Sequence, residues 1–465
     1  MYCNDFIKLF TICLGLRVIC VEHWIHTIAE KLWGWPTMGL FLLVGLWYTI
    51  SLKGIQFRRL WEALHSISTG SNGKGMSSYS VLCTALAATI GTGNIVGVAT
   101  AVGTGGPGAL LWMIVAACLG MGTQFAEGYL AVRYKQTDKG AVGGPFSYME
   151  RGLHSPGLGK LYAGITVGAG ILGVGTVTQI NSITRGIGTL FPSETTVFGT
   201  PLTEVIAGGI VTIAAGAVLL GGTKRIAKVC ETLVPLMSAM YVFCSVMILI
   251  CCRDRLMDGI TLVFKGAFSP RAVLGAGTGI TIRQVMRMGI GRGVFTNEAG
   301  MGTGAITAGA AEERDPVKQG LVTMSTTFID TVLICTLSGL CLIVTGAWTN
   351  PAEGGAMTAL AWSAGLPWSR NLSEYLLVLS LVFFAFATII GWSFYGERAL
   401  QYLTGGKWLR MYRMGYLLAL VMGPFLTVST VFDLADILNA LMAYPNLVAL
   451  LLLHSKVKEG LRKSS

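Results

Sequence analysis

Residues 81–97 read Val81-Leu-Cys-Thr-Ala-Leu-Ala-Ala-Thr-Ile-Gly91-Thr92-Gly93-Asn94-Ile-Val-Gly97, an apolar helix-forming run interrupted by Gly-Thr-Gly-Asn. Each glycine costs about 1 kcal/mol of helix propensity against alanine, and asparagine disfavours helix as well. In lipid, backbone groups freed by unwinding are tolerated only where they line a cavity or are covered by protein. The run therefore predicts a helix broken at Gly91–Asn94 near the bilayer centre. A close-packed glycine helix is the competing reading. Gly91 and Gly93 share no helical face, however, so they lack the G-x-x-x-G arrangement that such packing uses. The spacing G-x-G-x-x-x-G also misses the dinucleotide fingerprint, and no soluble βαβ unit surrounds it.

A second interrupted stretch lies in the other half of the chain: Gly289-Ile-Gly291-Arg-Gly293-Val-Phe295-Thr296-Asn297-Glu298-Ala-Gly300-Met-Gly302-Thr303-Gly304. Glycine-broken helices at matching positions of two halves point to the substrate site of a secondary transporter. Five apolar spans begin with each broken helix. An odd number of spans per half inverts one half against the other in the membrane.

The composition agrees with a membrane location. Of 465 residues, 53% are hydrophobic and only 12% charged, with 62 glycines. A soluble domain carries about 25% charged residues. This balance excludes a soluble enzyme, a disordered chain and a secreted disulfide scaffold. The cysteines sit mostly inside apolar runs, with no C-x-x-C pair, and read as packing residues rather than a metal site. No G-x-x-x-x-G-K-[S/T] loop or H-E-x-x-H motif is present, and the histidines fall near the ends of spans.

A bilayer core takes about 20 helical residues to cross. Stretches of suitable character are 36–52, 79–103, 108–132, 161–190, 204–221, 231–251, 284–310, 320–346, 374–396, 412–431 and 434–454. The expected fold is all-α and polytopic, with about 11 transmembrane helices. Ten form an inverted five-plus-five repeat that contains the two broken helices. The expected organisation is an N-terminal extension (1–35), a peripheral helix (36–54), a first repeat (79–251), a second repeat (284–455) and a cytoplasmic tail (456–465). Lys8 and Arg17 interrupt the apolar run in residues 1–22, which makes it a poor span. It also lacks a small-residue cleavage site, so it is a poor signal peptide. The 253–283 connection holds Arg253, Arg255, Lys265, Arg271 and Arg283, and is expected to fold against the protein.

The net charge of +11 raises nucleic acid as a partner. The placement of the basic residues answers otherwise. Arg58, Arg59, Arg133, Lys135, Lys224, Arg225, Arg398, Arg410 and the tail from Lys456 fall on one side of the alternating spans. By the positive-inside rule this puts the C-terminus in the cytoplasm and the N-terminus outside. The partners expected are the lipid bilayer and a small solute, not nucleic acid.

Four motifs resemble the alanine or glycine:cation symporter family: Ala-Thr-Ile-Gly-Thr-Gly-Asn-Ile-Val-Gly-Val-Ala-Thr-Ala (88–101), Gly-Gly-Pro-Phe-Ser-Tyr-Met (143–149), Gly-Val-Phe-Thr-Asn-Glu-Ala-Gly-Met-Gly (293–302) and Gly-Trp-Ser-Phe-Tyr-Gly-Glu (391–397). They occur in order, and the likeness covers roughly residues 25–455. The resemblance implies sodium-coupled uptake of small neutral amino acids and a leucine-transporter-like fold. Sodium is then a co-transported ion, no organic cofactor is expected, and the location is the plasma membrane, here a bacterial inner membrane. A proton-coupled carrier is the alternative, with an ion channel behind it.

An amino-acid zwitterion needs amide donors at its carboxylate and oxygen acceptors at its ammonium. Amides opening the half-helix after Gly93 can supply the first, helped by the helix dipole. Thr92, Gly93 and Asn94 are the first candidates, faced by Phe295, Thr296 and Asn297 from the second break. Interhelical hydrogen bonding is the competing reading of both asparagines. Thr388 and Trp392 lie on one helical face. The resemblance further implies that Gln179 reaches the amino acid. It also implies that Ala87 and Ile90 carbonyls bind sodium with the Thr388 hydroxyl, and that Trp392 caps a small pocket opposite Phe295. Packing is the alternative for Trp392. Charges at membrane depth mark function by default; here they are Glu127, Arg292, Glu298, Asp330 and Glu397. Glu127 is expected to accept hydrogen bonds from orphan amides of the second break, with a proton relay as its rival role. Helical periodicity leaves open whether Arg292 pairs with Glu298.

Overall fold

The computed structural model describes residues 23–67, 76–136, 142–269, 281–352 and 354–463. Residues 1–22, whose role the sequence left undecided, lie outside the described residues, as does Arg271. The chain is helical almost throughout. Helix α1 is Trp35–Ser51. The first broken helix follows as α2 (Ser78–Thr89), a π-helical stretch at Gly93–Gly97 and α3 (Val98–Gly105), with a 55° bend. Next come α4 (Gly108–Arg133), α5 (Pro156–Leu172), α6 (Val177–Leu190), α7 (Leu202–Leu219), α8 (Gly222–Cys251) and α9 (Leu256–Phe268). The second broken helix is α10 (Ile282–Asn297) with α11 (Thr303–Ala310). It is followed by α12 (Pro316–Thr327), which runs through a π-helical stretch, Phe328–Cys335, into α13 (Thr336–Val344). The chain closes with α14 (Arg370–Thr404), α15 (Leu409–Met422) and α16 (Val428–Lys463).

Helix starts follow ordinary capping chemistry. Ser77 accepts the Ser80 amide at the head of α2. Asp315 accepts the Val317 amide at the head of α12, with Pro316 in the first turn.

Among the described residues seven helical segments are long and apolar enough to cross a membrane, or eight if the bent first pair is one span. Helices occupy each of the other expected stretches as well, but fall short by length or charge. Helix α1 has 17 residues and α15 has 14. Helix α10 carries Arg283, Arg287 and Arg292.

Three elements run differently in detail from the expected ones. The expected span 161–190 is found as Pro156–Leu190, but it is interrupted: α5 ends at Leu172 and α6 begins at Val177, with Gly173–Thr176 between them. Gln179 therefore lies in the first turn of α6 rather than in mid-helix. Helix α16 continues through Lys463, into the segment expected as the tail, and Val457 is fully buried. The chain between Phe425 and Val428 leaves helix earlier than the expected 431–434 boundary. The 253–283 connection holds α9, whose Gly266–Ala267 backbone lies so close to Gly108 that a methyl there would stand 2.2 Å from it.

Helix α4 is central, packed by α1, α10 and α12, while α14 packs on α2, α5, α6 and α8. The approach of α14 to α2 is set at Gly391, where a Cβ would lie 2.6 Å from the Ala88 nitrogen. This contact brings the Thr388 turn beside the first break.

Candidate functional site

The first break starts at Ile90, whose ψ of 91° leaves the helix. In a continuing helix the Gly91 amide would donate to the Ala87 carbonyl. Here it donates to Asn94 Oδ1 at 2.9 Å. The Thr92 amide lies 3.4 Å from Gln179 Oε1, contributed by the first turn of α6. Thr388 Oγ1 lies 3.4 Å from the Ile90 carbonyl and 3.0 Å from the Phe384 carbonyl of its own helix. A Cβ on Gly91 would sit 2.5 Å from Thr388 Oγ1 and 3.4 Å from Gln179 Oε1. A Cβ on Gly93 would sit 3.0 Å from Thr296 Oγ1. Gly91, Thr92, Gln179 and Thr388 thus converge on one side of the break, and Thr296 meets Gly93 from α10. All are buried. Ala87 is fully buried one turn before the break.

The second break has Glu298 at φ 55°, Gly300 at 94° and Gly302 at 89°. Left-handed backbone suits glycine and strains a glutamate. The opened backbone is covered by side chains. Glu127 Oε1 accepts the Gly300 amide at 3.0 Å, the Gly302 amide at 3.1 Å and Asn446 Nδ2 at 2.8 Å. Asn446 Nδ2 also reaches the Gly300 carbonyl at 2.9 Å, and its oxygen is bonded by the Tyr148 hydroxyl. Tyr162 donates to the Met301 carbonyl at 2.7 Å. Asn297 Oδ1 accepts the Ala299 amide at 3.0 Å, so its oxygen closes its own break instead of facing the first one.

The structure separates several residues that the sequence had grouped. Glu298 does not pair with Arg292; its Oε1 accepts Trp392 Nε1 at 3.0 Å. Arg292 instead lies over the rings of Phe295 and Phe432, 5.6 and 5.9 Å from their centroids. Trp392 packs against Gly175, where a Cβ would stand 2.3 Å from the tryptophan Cβ, and its ring meets Tyr395. Among the described residues no ring contact joins Trp392 to Phe295. Glu397 is held by a bidentate ion pair with Arg413, at 2.7 and 2.9 Å. Asp330 binds the Asn94 side chain.

Two unlike breaks, each closed by side chains from other helices and joined to buried polar groups, are what a carrier site needs. The comparisons with known proteins agree. The profile of the sodium:alanine symporter family matches residues 18–464. The chain belongs to the sodium:alanine symporter family. An uncharacterized transporter of Haemophilus influenzae is 43% identical over 448 residues, which cover 95% of this chain and 94% of that protein. The sodium/alanine symporter AgcS of Methanococcus maripaludis is 37% identical, over 93% of this chain and 95% of its own. A probable sodium/glutamine symporter of Bacillus subtilis, GlnT, is 34% identical, over 95% and 90%. Among solved structures, MhsT in complex with L-phenylalanine superposes with a TM-score of 0.55 at 14% identity, covering 83% of this chain and all of that one. The chain thus shares the leucine-transporter-like fold.

This member of the sodium:alanine symporter family is a multi-pass membrane protein of amino-acid transport, and the family is one of transporters rather than enzymes. The sequence reading missed three parts of its site. They are Asn446 with Tyr148 and Tyr162 around the second break, the hinge at Gly173–Thr176, and the partner of Asp330. Tyr416 covers that hinge: its hydroxyl lies 2.8 Å from the Gly175 carbonyl and 2.6 Å from the Ile389 carbonyl.

Proposed function

We propose that this symporter moves a small neutral amino acid, alanine or glycine, into the cell together with sodium by alternating access. The N-terminus lies outside and the C-terminus in the cytoplasm. The observation that carries this reading is the convergence of Gln179, Thr388 and Thr296 on the backbone of Gly91–Gly93. The Thr92 and Gly93 amides and Gln179 receive the carboxylate. Thr296, with the backbone that ends α10, faces the ammonium. The Ala87 and Ile90 carbonyls and the Thr388 hydroxyl hold sodium as cargo. Hard cations take oxygen ligands, and the diverted Gly91 amide leaves the Ala87 carbonyl open. Asn94 and Asn297 shape the breaks from within. One sodium ion entering down 100 mV and a tenfold gradient supplies about 3.7 kcal/mol, enough for roughly 500-fold accumulation of a neutral solute.

The test is uptake of labelled alanine into proteoliposomes with sodium or proton gradients imposed separately. Sodium-driven, saturable uptake is expected. Uptake driven by protons alone would replace sodium with a proton in this reading. In the same assay Thr388→Val keeps shape and loses the hydroxyl oxygen. Its half-saturation for sodium is expected to rise by about tenfold, the effect of one lost hydrogen-bond-strength contact to a charge. The order of preferred amino acids should stay as in the wild type. An unaltered sodium dependence removes Thr388 from the cation site.

Trp392 and Phe295 are proposed as walls that limit side-chain size. Trp392→Leu is expected to improve competition by valine and leucine relative to alanine. The gain should be modest, because a methylene in an apolar pocket is worth about 1–3 kcal/mol. It should also cost stability, since Glu298 loses its indole donor. An unchanged ranking in folded protein places the wall elsewhere.

A further inference from the structure

Two stretches of π-helix occur among the described residues, Gly93–Gly97 and Phe328–Cys335, and they pack against each other. Such turns are rare and gather at functional sites, because the wider turn shifts side chains out of helical register. The two stretches meet through the side chain of Asn94, whose Nδ2 faces Asp330 and also lies 3.3 Å from Cys335 Sγ. Asn94 Nδ2 donates to Asp330 Oδ1 at 2.7 Å and lies 3.3 Å from the Asp330 carbonyl. The other carboxylate oxygen accepts the Thr331 hydroxyl at 2.7 Å. The far end of Asn94 holds the Gly91 amide. Asn94 and Asp330 are both fully buried. Among the described residues no basic group forms an ion pair with Asp330, and a carboxylate at membrane depth is costly to keep.

A carboxylate only accepts hydrogen bonds, whereas an asparagine amide has one donating and one accepting end. Asp330 therefore decides which way Asn94 faces. With Nδ2 held by Asp330, Oδ1 turns to the Gly91 amide and draws it away from the Ala87 carbonyl. We infer that Asp330 is a positioning residue for cation and amino-acid binding, acting through Asn94. It keeps the Ala87 carbonyl free for the cation and fixes the direction of the Thr92 and Gly93 amides. Without the carboxylate, Nδ2 keeps only its two longer contacts, to the Asp330 carbonyl and Cys335 Sγ; the asparagine is held less firmly, and the Gly91 amide can return to a helical bond that closes the cation's oxygen set. This inference rests on the reading of the first break as the transport site.

The experiment is a swap. Asp330→Ala is expected to raise the sodium half-saturation and the alanine KM by about tenfold, with a smaller change in Vmax per folded protein. Asp330→Asn keeps an acceptor for Asn94 and should stay within about threefold of the wild type. Asn94→Asp alone sets carboxylate against carboxylate and should lose sodium affinity by more than about tenfold. Asn94→Asp combined with Asp330→Asn restores one donor and one acceptor with the hydrogen bond reversed. One oxygen of the new carboxylate still accepts the Gly91 amide. The double variant should recover sodium affinity to within about threefold. A double variant no better than Asn94→Asp overturns the inference, as does wild-type sodium affinity in Asp330→Ala. If Asp330→Ala does not fold, the swap decides alone. Sodium-dependent thermal stabilisation in detergent gives the same comparison without any amino acid. Failure of wild-type alanine uptake therefore counts against the proposed substrate, while the swap result counts for or against the Asp330 role.

Discussion

Glu127→Leu is expected to abolish uptake, while Glu127→Gln keeps part of it. The Glu127 carboxylate oxygen gathers three donors: two backbone amides of the second break and the side-chain amide of Asn446. Leucine leaves the two backbone amides buried without a partner and the Asn446 amide with only the Gly300 carbonyl, at roughly 1–3 kcal/mol for each bond lost. Such a loss approaches the whole stability margin of a typical protein, about 5–15 kcal/mol. The segment Glu298–Gly302 then collapses or the protein fails to fold. Glutamine keeps an accepting oxygen for all three donors. It replaces the second carboxylate oxygen, which has no partner, with a donating group in the same buried place. Partial transport with reduced thermal stability is the expected result. Uptake at a series of pH values separates this from a proton relay. A relay makes glutamine as inactive as leucine, with wild-type transport that follows the proton gradient. Equal loss in both variants with a proton-driven wild type removes the bracing role.

Much of this site is legible in sequence because breaks in helices are written in residue types. Gly-Thr-Gly-Asn and the glycine cluster from Gly289 to Gly304 announce unwound backbone, since glycine weakens helix and lipid punishes exposed amides. The hinge at Gly173–Thr176 carries the same sign, a Gly-x-Gly pair followed by threonine. It is masked by the long apolar run on either side, which reads as one span. Partner choice is less legible. Periodicity places Glu298, Arg292 and Asp330 at membrane depth, but the left-handed turn at Glu298 and the π-helical register at Asp330 rotate their side chains by amounts that no regular helix gives. Asn446 lies far along the chain from Glu127, next to Pro445 inside α16. Only the packing of α16 against the second break makes it a partner. The asparagines show the same limit. Their residue type fits substrate binding and backbone capping equally, and only the positions of the neighbouring amides tell which.

Gly91→Ala is expected to leave the fold in place and remove sodium-coupled transport. Alanine is the better helix former by about 1 kcal/mol, so the backbone beside α2 has no intrinsic objection to it. The obstacle is space. The new methyl would stand 2.5 Å from Thr388 Oγ1 and 3.4 Å from Gln179 Oε1. Threonine is stiff at χ1 and cannot simply swing aside. Retreat of its helix as a body would open the close contact of Gly391 with the Ala88 backbone. Overpacking of this kind costs about 1–3 kcal/mol, a price met by displacing Thr388 and Gln179 from the break. Those two side chains are the ones proposed to meet cation and carboxylate, so sodium half-saturation and alanine KM should rise together. A glycine needed only for helix packing gives the opposite pattern, with lower thermal stability and normal kinetics in the protein that survives. Sodium titration of alanine uptake, normalised to folded protein, reads the difference. Wild-type half-saturation for sodium in folded Gly91→Ala would mean that the cation is not bound between Ile90 and Thr388.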